Sequence, residues 1–300
     1  ASQQQHPFFY SFSEQGNMAL YGTAEAGKDL FLMTSIHQLL SNYSSRTLQL
    51  IVLDYGSENM KVIEEAPQVG GVIYSSEEER IHWLFRFLTT EIERRKKAFA
   101  SYGGAYADYL EQRGEQSEYP YMVLMISEYI GFRESYEELE TELLTVLREG
   151  VREGIYVLAS ASSTSDIRYR MQQQFRQNLA LQLNDKSEYS MVLGRFDKMY
   201  PSPYRGRGLV HNNDLYEFQT AYCTRGNVME YMQEFCRQLA LGKEEPVVKV
   251  PYLPKEVTLK NLRYAGRKPH LLPLGYYSSD ISLCGLRLNR DFILPVVAKE

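Results

Sequence analysis

The first feature of this sequence that could do chemistry is a lysine set directly after a glycine, at the point where an apolar run gives way to a helical pattern. In MALYGTAEAGKDLFL the chain passes from apolar residues into Gly22, Thr23, Ala24, Glu25, Ala26, Gly27 and Lys28, and helical periodicity follows at once. This is G-x-x-x-x-G-K in a strand–loop–helix context, which lets backbone N–H groups turn inward around an anion. The helix N-terminus adds positive potential, and Lys28 is placed to reach β- and γ-phosphates. The next position, where a Ser or Thr hydroxyl would coordinate magnesium, is Asp29. A carboxylate there either repels the phosphates, turns away from them or binds the metal itself, and Glu25 adds a second negative charge to the loop.

About a hundred residues on, the apolar run in YPYMVLMISEYIGF ends in Ser127 and Glu128. A nucleotide-hydrolysing site places two acids there, one holding magnesium and one polarising the attacking water. Glu128 is a candidate base, or else a plain strand-end residue, and Ser127 stands where the metal-holding acid belongs. Both protein groups that would position magnesium, at 29 and 127, are altered. ATP with magnesium is therefore expected to bind weakly or not at all, and hydrolysis to be weak or absent. Two further features sit at strand ends. Asp54, in LIVLDYGS, either faces a ligand or, the preferred reading, caps the following loop. The run Ser160–Ser165 either senses a terminal phosphate or caps the next helix.

These residues need a scaffold that brings strand ends together. Asn17–Tyr21, Leu48–Leu53, Tyr121–Ile126, Ile155–Ser160 and Leu179–Leu183 read as strands, apolar with little alternation, as in a parallel sheet covered on both faces. Between them Lys28–Leu40, Ser76–Tyr102, Glu134–Arg152, Ser165–Gln177 and Gly226–Leu241 read as helices. The charged stretch Glu91–Lys97 reads as a solvated helix face. The expected fold is α/β: a P-loop NTPase with a mostly parallel central sheet flanked by helices, spanning residues 1–241. Residues 242–300 form a linker and β-rich extension, because KEEPVVKVPYLPKEVTLKNL carries three prolines and only short β-like pieces follow.

Composition narrows the classes. With 44% hydrophobic and 24% charged residues the chain is an ordinary globular one, and no run approaches the roughly 20 apolar residues of a membrane helix. The opening ASQQQHP reads as a start within a longer chain. Three scattered cysteines match no metal spacing and read as reduced thiols. A net charge of −5 argues against a general nucleic-acid surface. The 24 tyrosines suit interfaces or half-buried positions.

GNMALYG, EIERRKKAF, PYMVLMISEY, REGVREGIYVLASAS and GRGLV followed by LYEFQTA are spaced in a way that resembles the FtsK/SpoIIIE-type (RecA/FtsK-like) ATPase modules of type VII secretion proteins, the EssC/YukB/EccC group. The resemblance covers about residues 16–240, and its helix motif and the pair carrying Arg207, Gly208, Glu217, Phe218 and Gln219 are not generic phosphate-loop features. It implies a cytoplasmic module of a bacterial inner-membrane protein, in a tandem string of ATPase modules, with the membrane reached only through segments outside residues 1–300. It also implies neighbouring modules of the same chain and secreted WXG-type proteins as partners, and a homo-oligomer, hexameric in the full machine. Within that family Asp29 and Ser127 suit a later module whose site is degenerate, the second more than the third. The tail PHLLPLGYYSSDISLCGLRLNRDFILPVV resembles the start of a following module. An active ATP-hydrolysing module is the alternative, and a DNA translocase, disfavoured by the acidic balance, a further one. Arg168, Arg170, Arg176 and Arg207 are candidates for an arginine supplied to a neighbouring site, and the sequence does not choose among them.

Overall fold

A computed structural model describes residues 7–194, 199–242 and 244–250, and, beyond them, 252, 257–258, 262, 270–277 and 283–290. The chain divides into two compact units, residues 1–250 and 251–300. In the first, a short helix α1 (Phe12–Gln15) leads into β1 (Asn17–Tyr21), α2 (Lys28–Asn42), β2 (Leu48–Asp54), β3 (Val69–Tyr74) and the long helix α3 (Glu78–Phe99). There follow α4 (Tyr106–Arg113), β4 (Tyr121–Ser127), α5 (Tyr129–Ser135), α6 (Glu140–Glu149) and β5 (Ile155–Ala161). The unit closes with α7 (Tyr169–Gln172), β6 (Phe175–Ala180), α8 (Glu188–Leu193), β7 (Arg207–Asn212), β8 (Asp214–Gln219) and α9 (Val228–Ala240).

The eight strands form one sheet in the order β3-β2-β4-β5-β1-β6-β7-β8. β1 to β6 pair in parallel, whereas β6–β7 and β7–β8 are antiparallel. Successive residues of a strand point to opposite faces, so the sheet carries two cores. Ala19, Tyr21, Ile51 and Leu124 pack beneath α3, α5, α6 and α8. Met18, Leu20, Leu50 and Val123 pack beneath α2, α9 and the turn Met60–Ile63. Asn17, almost fully buried, ties the start of β1 to both flanks: its Nδ2 donates to Leu147 O (2.8 Å) and Gln174 O (3.1 Å), and its Oδ1 accepts from Val157 N (2.9 Å).

The expected α/β architecture is the one found, with several local departures. The strand read at Leu179–Leu183 begins earlier, at Phe175, because pairing with β1 sets Asn17 opposite Phe175 and Leu20 opposite Leu179. The helix read over Ser165–Gln177 is accordingly only the turn Tyr169–Gln172. β3 went unread because Gly70 and Gly71 weaken a strand signal. A Cβ at Gly70 would lie 2.8 Å from Gln49 Nε2 and one at Gly71 2.8 Å from Arg80 Nη2, so these glycines make room for polar side chains crossing the strand. The helix read over Glu134–Arg152 is broken at Tyr136, which leaves helical geometry (φ −139°, ψ 51°) between α5 and the turn that opens α6.

The last departure concerns charge. Glu91–Lys97 is not a uniformly solvated face: Arg95 is 0% exposed and Glu91 7%. Arg95 donates to Glu91 Oε1 (2.7 Å), Glu153 O (2.9 Å) and Pro120 O (2.7 Å), joining α3 to the chain that enters β5 and β4. Burial alone would raise the Glu91 carboxyl, but hydrogen bonds from Arg94 and Arg95 outweigh it and hold the pKa below the ordinary value.

Many of the tyrosines also serve the interior. Tyr106 and Tyr109 pack around Phe99 in a separate aromatic cluster, with Tyr102, Tyr119 and Tyr121 against it. Burial pushes the Tyr156 hydroxyl up to about 12. Beyond α9 the segment 244–250 runs along the β3 edge, with Val247 N donating to Pro67 O (2.9 Å) and Val250 N to Gly70 O (2.8 Å). That contact covers an otherwise open row of backbone groups. The three cysteines are free thiols, with Cys236 buried. In the second unit β9 (Leu271–Tyr276) and β10 (Leu283–Arg287) form an antiparallel hairpin. Residues 291–297 of the tail lie outside the described residues. No helix among the described residues is long and apolar enough to cross a membrane.

Candidate nucleotide site

The loop between β1 and α2 is fixed at both ends by its neighbours. Gly22 N donates to Ala161 O (3.0 Å) and Thr23 N to Gln182 O (2.8 Å), so β5 and the chain after β6 hold its entrance. Inside the loop Ala26 N donates to Thr23 O (3.1 Å), and Phe31 N starts the helix on Gly27 O (3.0 Å). Gly27 has φ +98°, a conformation that disfavours side chains. A Cβ on it would lie 2.6 Å from Gly206 N. Gly206 N in turn donates to Ala26 O (2.7 Å), so the turn before β7 rests directly on the loop. Among the described residues no protein group accepts from the N–H groups of Ala24, Glu25 or Gly27. Those three amides are without a protein acceptor in a G-x-x-x-x-G-K loop, a sequence whose backbone N–H groups cradle phosphates, and to that extent the residues fit a polyphosphate.

Lys28 is almost entirely buried, its side chain 4% exposed, and fully engaged. Its Nζ donates to Gly22 O (2.5 Å) and Ser162 Oγ (2.8 Å) and pairs with Glu128 Oε1 at 3.0 Å. Ser162 Oγ donates in turn to Glu128 Oε2 (3.1 Å). The structure thus brings Lys28 and Glu128, predicted from motifs a hundred residues apart, into contact, and adds Ser162 between them. Glu128 holds a left-handed backbone (φ 57°), and its N–H donates to the buried Ser160 Oγ (2.9 Å).

Of the two positions suspected of altered metal binding, one is paired and the other is buried. Asp29 pairs with Arg205, whose stem lies over Gly27. Ser127 is buried, its Oγ 2.8 Å from where a Cβ on Gly56 would sit. Among the described residues no three acidic, histidine or cysteine side chains gather as a metal site. An open cleft of about 680 Å³, lined by Arg205, residues 222–226 and Val228, adjoins the Asp29–Arg205 pair.

The remaining candidates make contacts within the chain. Asp54, 0% exposed, accepts from Gly56 N (3.1 Å), Asn59 N (3.0 Å) and Met60 N (3.2 Å), as its loop-capping reading requires. In the Ser160–Ser165 run the structure shows the capping reading, with Ser163 accepting from Ser165 N at the turn Thr164–Asp166, and it also places Ser162 in a hydrogen bond with Lys28. Glu188, on α8, accepts from Ser163 Oγ (2.7 Å) and from Thr164 N (2.8 Å). Burial works against its charge, but these hydrogen bonds prevail and keep its pKa low, so α8 is pinned to the loop as an ion. Arg168 and Arg170 pair with the buried Glu140 at 3.1 and 3.6 Å, Arg176 donates to Glu14 O (3.2 Å), and Arg207 contacts Glu217 at 3.4 Å. Arg205 was not anticipated. It lies 176 residues from Asp29 in sequence, and no local pattern announces the pairing.

A parallel sheet with a glycine loop after β1, a lysine at the start of the next helix and a facing carboxylate at the end of β4 defines a P-loop ATPase-type domain. The FtsK/SpoIIIE family profile matches residues 2–201, and the chain belongs to that family. Its curated relatives are secretion proteins. It is 23% identical over 289 residues to the ESX secretion system protein YukB of Bacillus subtilis (strain 168), covering 93% of this chain and 19% of that protein. It is 24% identical to the type VII secretion system protein EssC of Staphylococcus aureus (strain MRSA252), covering 98% of this chain and 21% of that one. The chain thus spans about a fifth of the length of these relatives. Among solved structures, EssC (ATPases 2 and 3) from Geobacillus thermodenitrificans superposes with a TM-score of 0.83 at 20% identity, covering 96% of this chain and 57% of that one. Thermomonospora curvata EccC (ATPases 2 and 3), solved in complex with a signal sequence peptide, gives 0.77 at 23% identity, covering 97% and 54%. At such identities the structural likeness speaks for the fold, which matches the sequence resemblance.

Proposed function

We propose that this chain is an ATPase-fold module of a type VII protein-export machine whose phosphate loop binds nucleotide without protein-held magnesium and with little or no turnover. In this reading it supports export through contacts with neighbouring modules and with exported WXG-type proteins, on the cytoplasmic side of the membrane. Residues 1–241 are the module, and 242–300 the linker and opening strands of a following one. The observation that carries the reading is the state of residue 29. The position that should offer a hydroxyl to magnesium is a carboxylate committed to Arg205, and Ser127 replaces the second metal-holding group. Bound ATP would supply a phosphoanhydride. The cradle amides of Ala24, Glu25 and Gly27 would hold its phosphates, and the cleft beside Arg205 has room for the nucleoside. Calorimetric titration with Mg-ATP, paired with a phosphate-release assay, tests this. Weak binding with negligible turnover is expected. Robust turnover abolished by Lys28→Ala would overturn it and make the module a working ATPase.

A further inference from the structure

A guanidinium presents several N–H donors in one planar fork. Arg205 commits one of its nitrogens to Asp29, and among the described residues no other protein group accepts from its side chain. Lys28 differs, because its buried ammonium already serves Gly22 O, Ser162 Oγ and Glu128 Oε1. Of these two cations, Arg205 is the one that offers donors to a ligand without first giving up a protein acceptor. Its backbone is fixed against the loop. Gly206 N donates to Ala26 O (2.7 Å) and Gln219 Nε2 to Arg205 O (3.0 Å). Gln182 ties the same turn to the loop entrance, its Nε2 donating to Ser202 O (3.0 Å) and its carbonyl accepting from Thr23 N (2.8 Å). The stem of Arg205 passes over Gly27, where a Cβ would lie 2.9 Å from Arg205 Cγ. The Gly27 amide beneath it is one of the three without a protein acceptor.

We infer that Arg205 is a phosphate-binding residue of this loop and that Asp29 is the group that positions it. The inference rests on the nucleotide reading above and goes on to name how the ligand's charge is met. In a loop of this type the residue after the lysine holds the magnesium that bridges the β- and γ-oxygens. Here that residue, Asp29, holds a guanidinium. A guanidinium matches two oxygens of a phosphate at once, so the Arg205 fork meets a polyphosphate near the place of the metal ion. The Asp29 contact is no obstacle. Both side chains are more than half exposed, 53% for Arg205 and 57% for Asp29, and such pairs hold weakly in water. A phosphate oxygen therefore shares the fork or displaces the carboxylate at little cost. Asp29 stays close as a negative charge, so neutralising it should tighten binding. A metal-holding carboxylate would behave in the opposite way.

The test is equilibrium titration of the 300-residue chain with ADP and with inorganic pyrophosphate, in EDTA and again with magnesium. Arg205→Ala is expected to weaken both ligands about tenfold, and Arg205→Lys to recover part of that loss. Asp29→Asn should tighten both ligands in EDTA. With Asp29→Asn in place, adding Arg205→Ala should still weaken binding, because a phosphate contact is lost and not merely the screening of a carboxylate. Thermal melts that match wild type establish that the variants fold. Wild-type affinity in Arg205→Ala, a loss confined to ADP, or a double variant equal to Asp29→Asn overturns the phosphate role while leaving nucleotide binding intact. Asp29→Asn that weakens binding, and does so only with magnesium, makes residue 29 a metal ligand and overturns that role as well. No binding of either ligand at millimolar concentration, in wild type and Asp29→Asn alike, overturns the nucleotide reading itself.

Discussion

Arg95→Ala should be among the most damaging single substitutions in the first unit. Arg95 is 0% exposed and serves three acceptors: the Glu91 carboxylate and the carbonyls of Glu153 and Pro120. Removing one partner of a buried ion pair costs about 3–5 kcal/mol, and each buried carbonyl left without a donor costs about 1–3 kcal/mol. Arg94 still pairs with Glu91, at 2.7 Å, which retains part of the electrostatic interaction, so we expect a loss of roughly 3–5 kcal/mol in all. For a domain of this size that lowers the melting temperature by about 6–20 °C. Thermal and urea unfolding measure the loss, and a double variant separates its cause. Glu91→Leu with Arg95→Met replaces the pair by apolar groups of similar bulk, and should be less destabilised than Arg95→Ala alone. A melting point within about 2 °C of wild type for Arg95→Ala, or a double variant as damaged as the sum of its singles, would refute the reasoning.

Other substitutions probe the loop and its supports. Gly27→Ala forces a side chain into φ +98° and against Gly206, and should cost about 1–3 kcal/mol in urea unfolding. The Gly206 amide, now bonded to Ala26 O, should lose protection from hydrogen exchange. Asp54→Ala orphans three backbone N–H groups and should cost more than about 2 kcal/mol by the same measurement. Glu91 has a folded pKa below its ordinary 4.5, so its stabilisation is complete above that value and is lost as pH falls through the folded pKa. Wild type should therefore lose its advantage over Glu91→Gln progressively below pH 4.5. A constant difference between the two across that window would contradict the assignment.

What could be read from the sequence was what local pattern determines. The phosphate loop, β1 and the run ending at Ser127 and Glu128 are continuous segments whose apolar runs and glycines act within a few residues, and their placement followed directly. Strand β3 was not legible, because Gly70 and Gly71 are selected by the side chains of Gln49 and Arg80 crossing above them rather than by any strand propensity. The same holds for Phe175–Ala180: its arginine and glutamine favour a helix locally, and only the partner strand β1 overrides them. Arg95 shows the reverse error. Charge in an amphipathic helix is normally outward, and nothing in EIERRKKAF distinguishes the arginine that points inward from the one beside it. In the site, Lys28 and Glu128 were legible as separate motifs. Ser162 as their bridge, and Arg205 as the partner of Asp29, depend on chain crossings that no spacing rule encodes.

These crossings change what the departures at 29 and 127 mean. Taken singly, an acid beside the phosphate-binding lysine and a serine in place of a metal-holding acid are two losses. In the folded chain two of the charges at the loop have partners of opposite sign, Lys28 with Glu128 and Asp29 with Arg205, while Glu25 lies exposed. The second pair is exposed, its side chains 53% and 57% accessible, and by itself contributes little to stability. Its effect is on the ligand. A bare carboxylate at residue 29 would repel a polyphosphate at close range, and Arg205 cancels that repulsion without a metal ion. The Gly206–Ala26 hydrogen bond holds the turn that carries Arg205 against the loop, so the compensating charge arrives with the fold and not with the ligand. Under the function proposed above, a loop paired in this way offers its free amides to phosphate oxygens without a protein-held cation. That combination suits a module that registers a nucleotide more than one that consumes it.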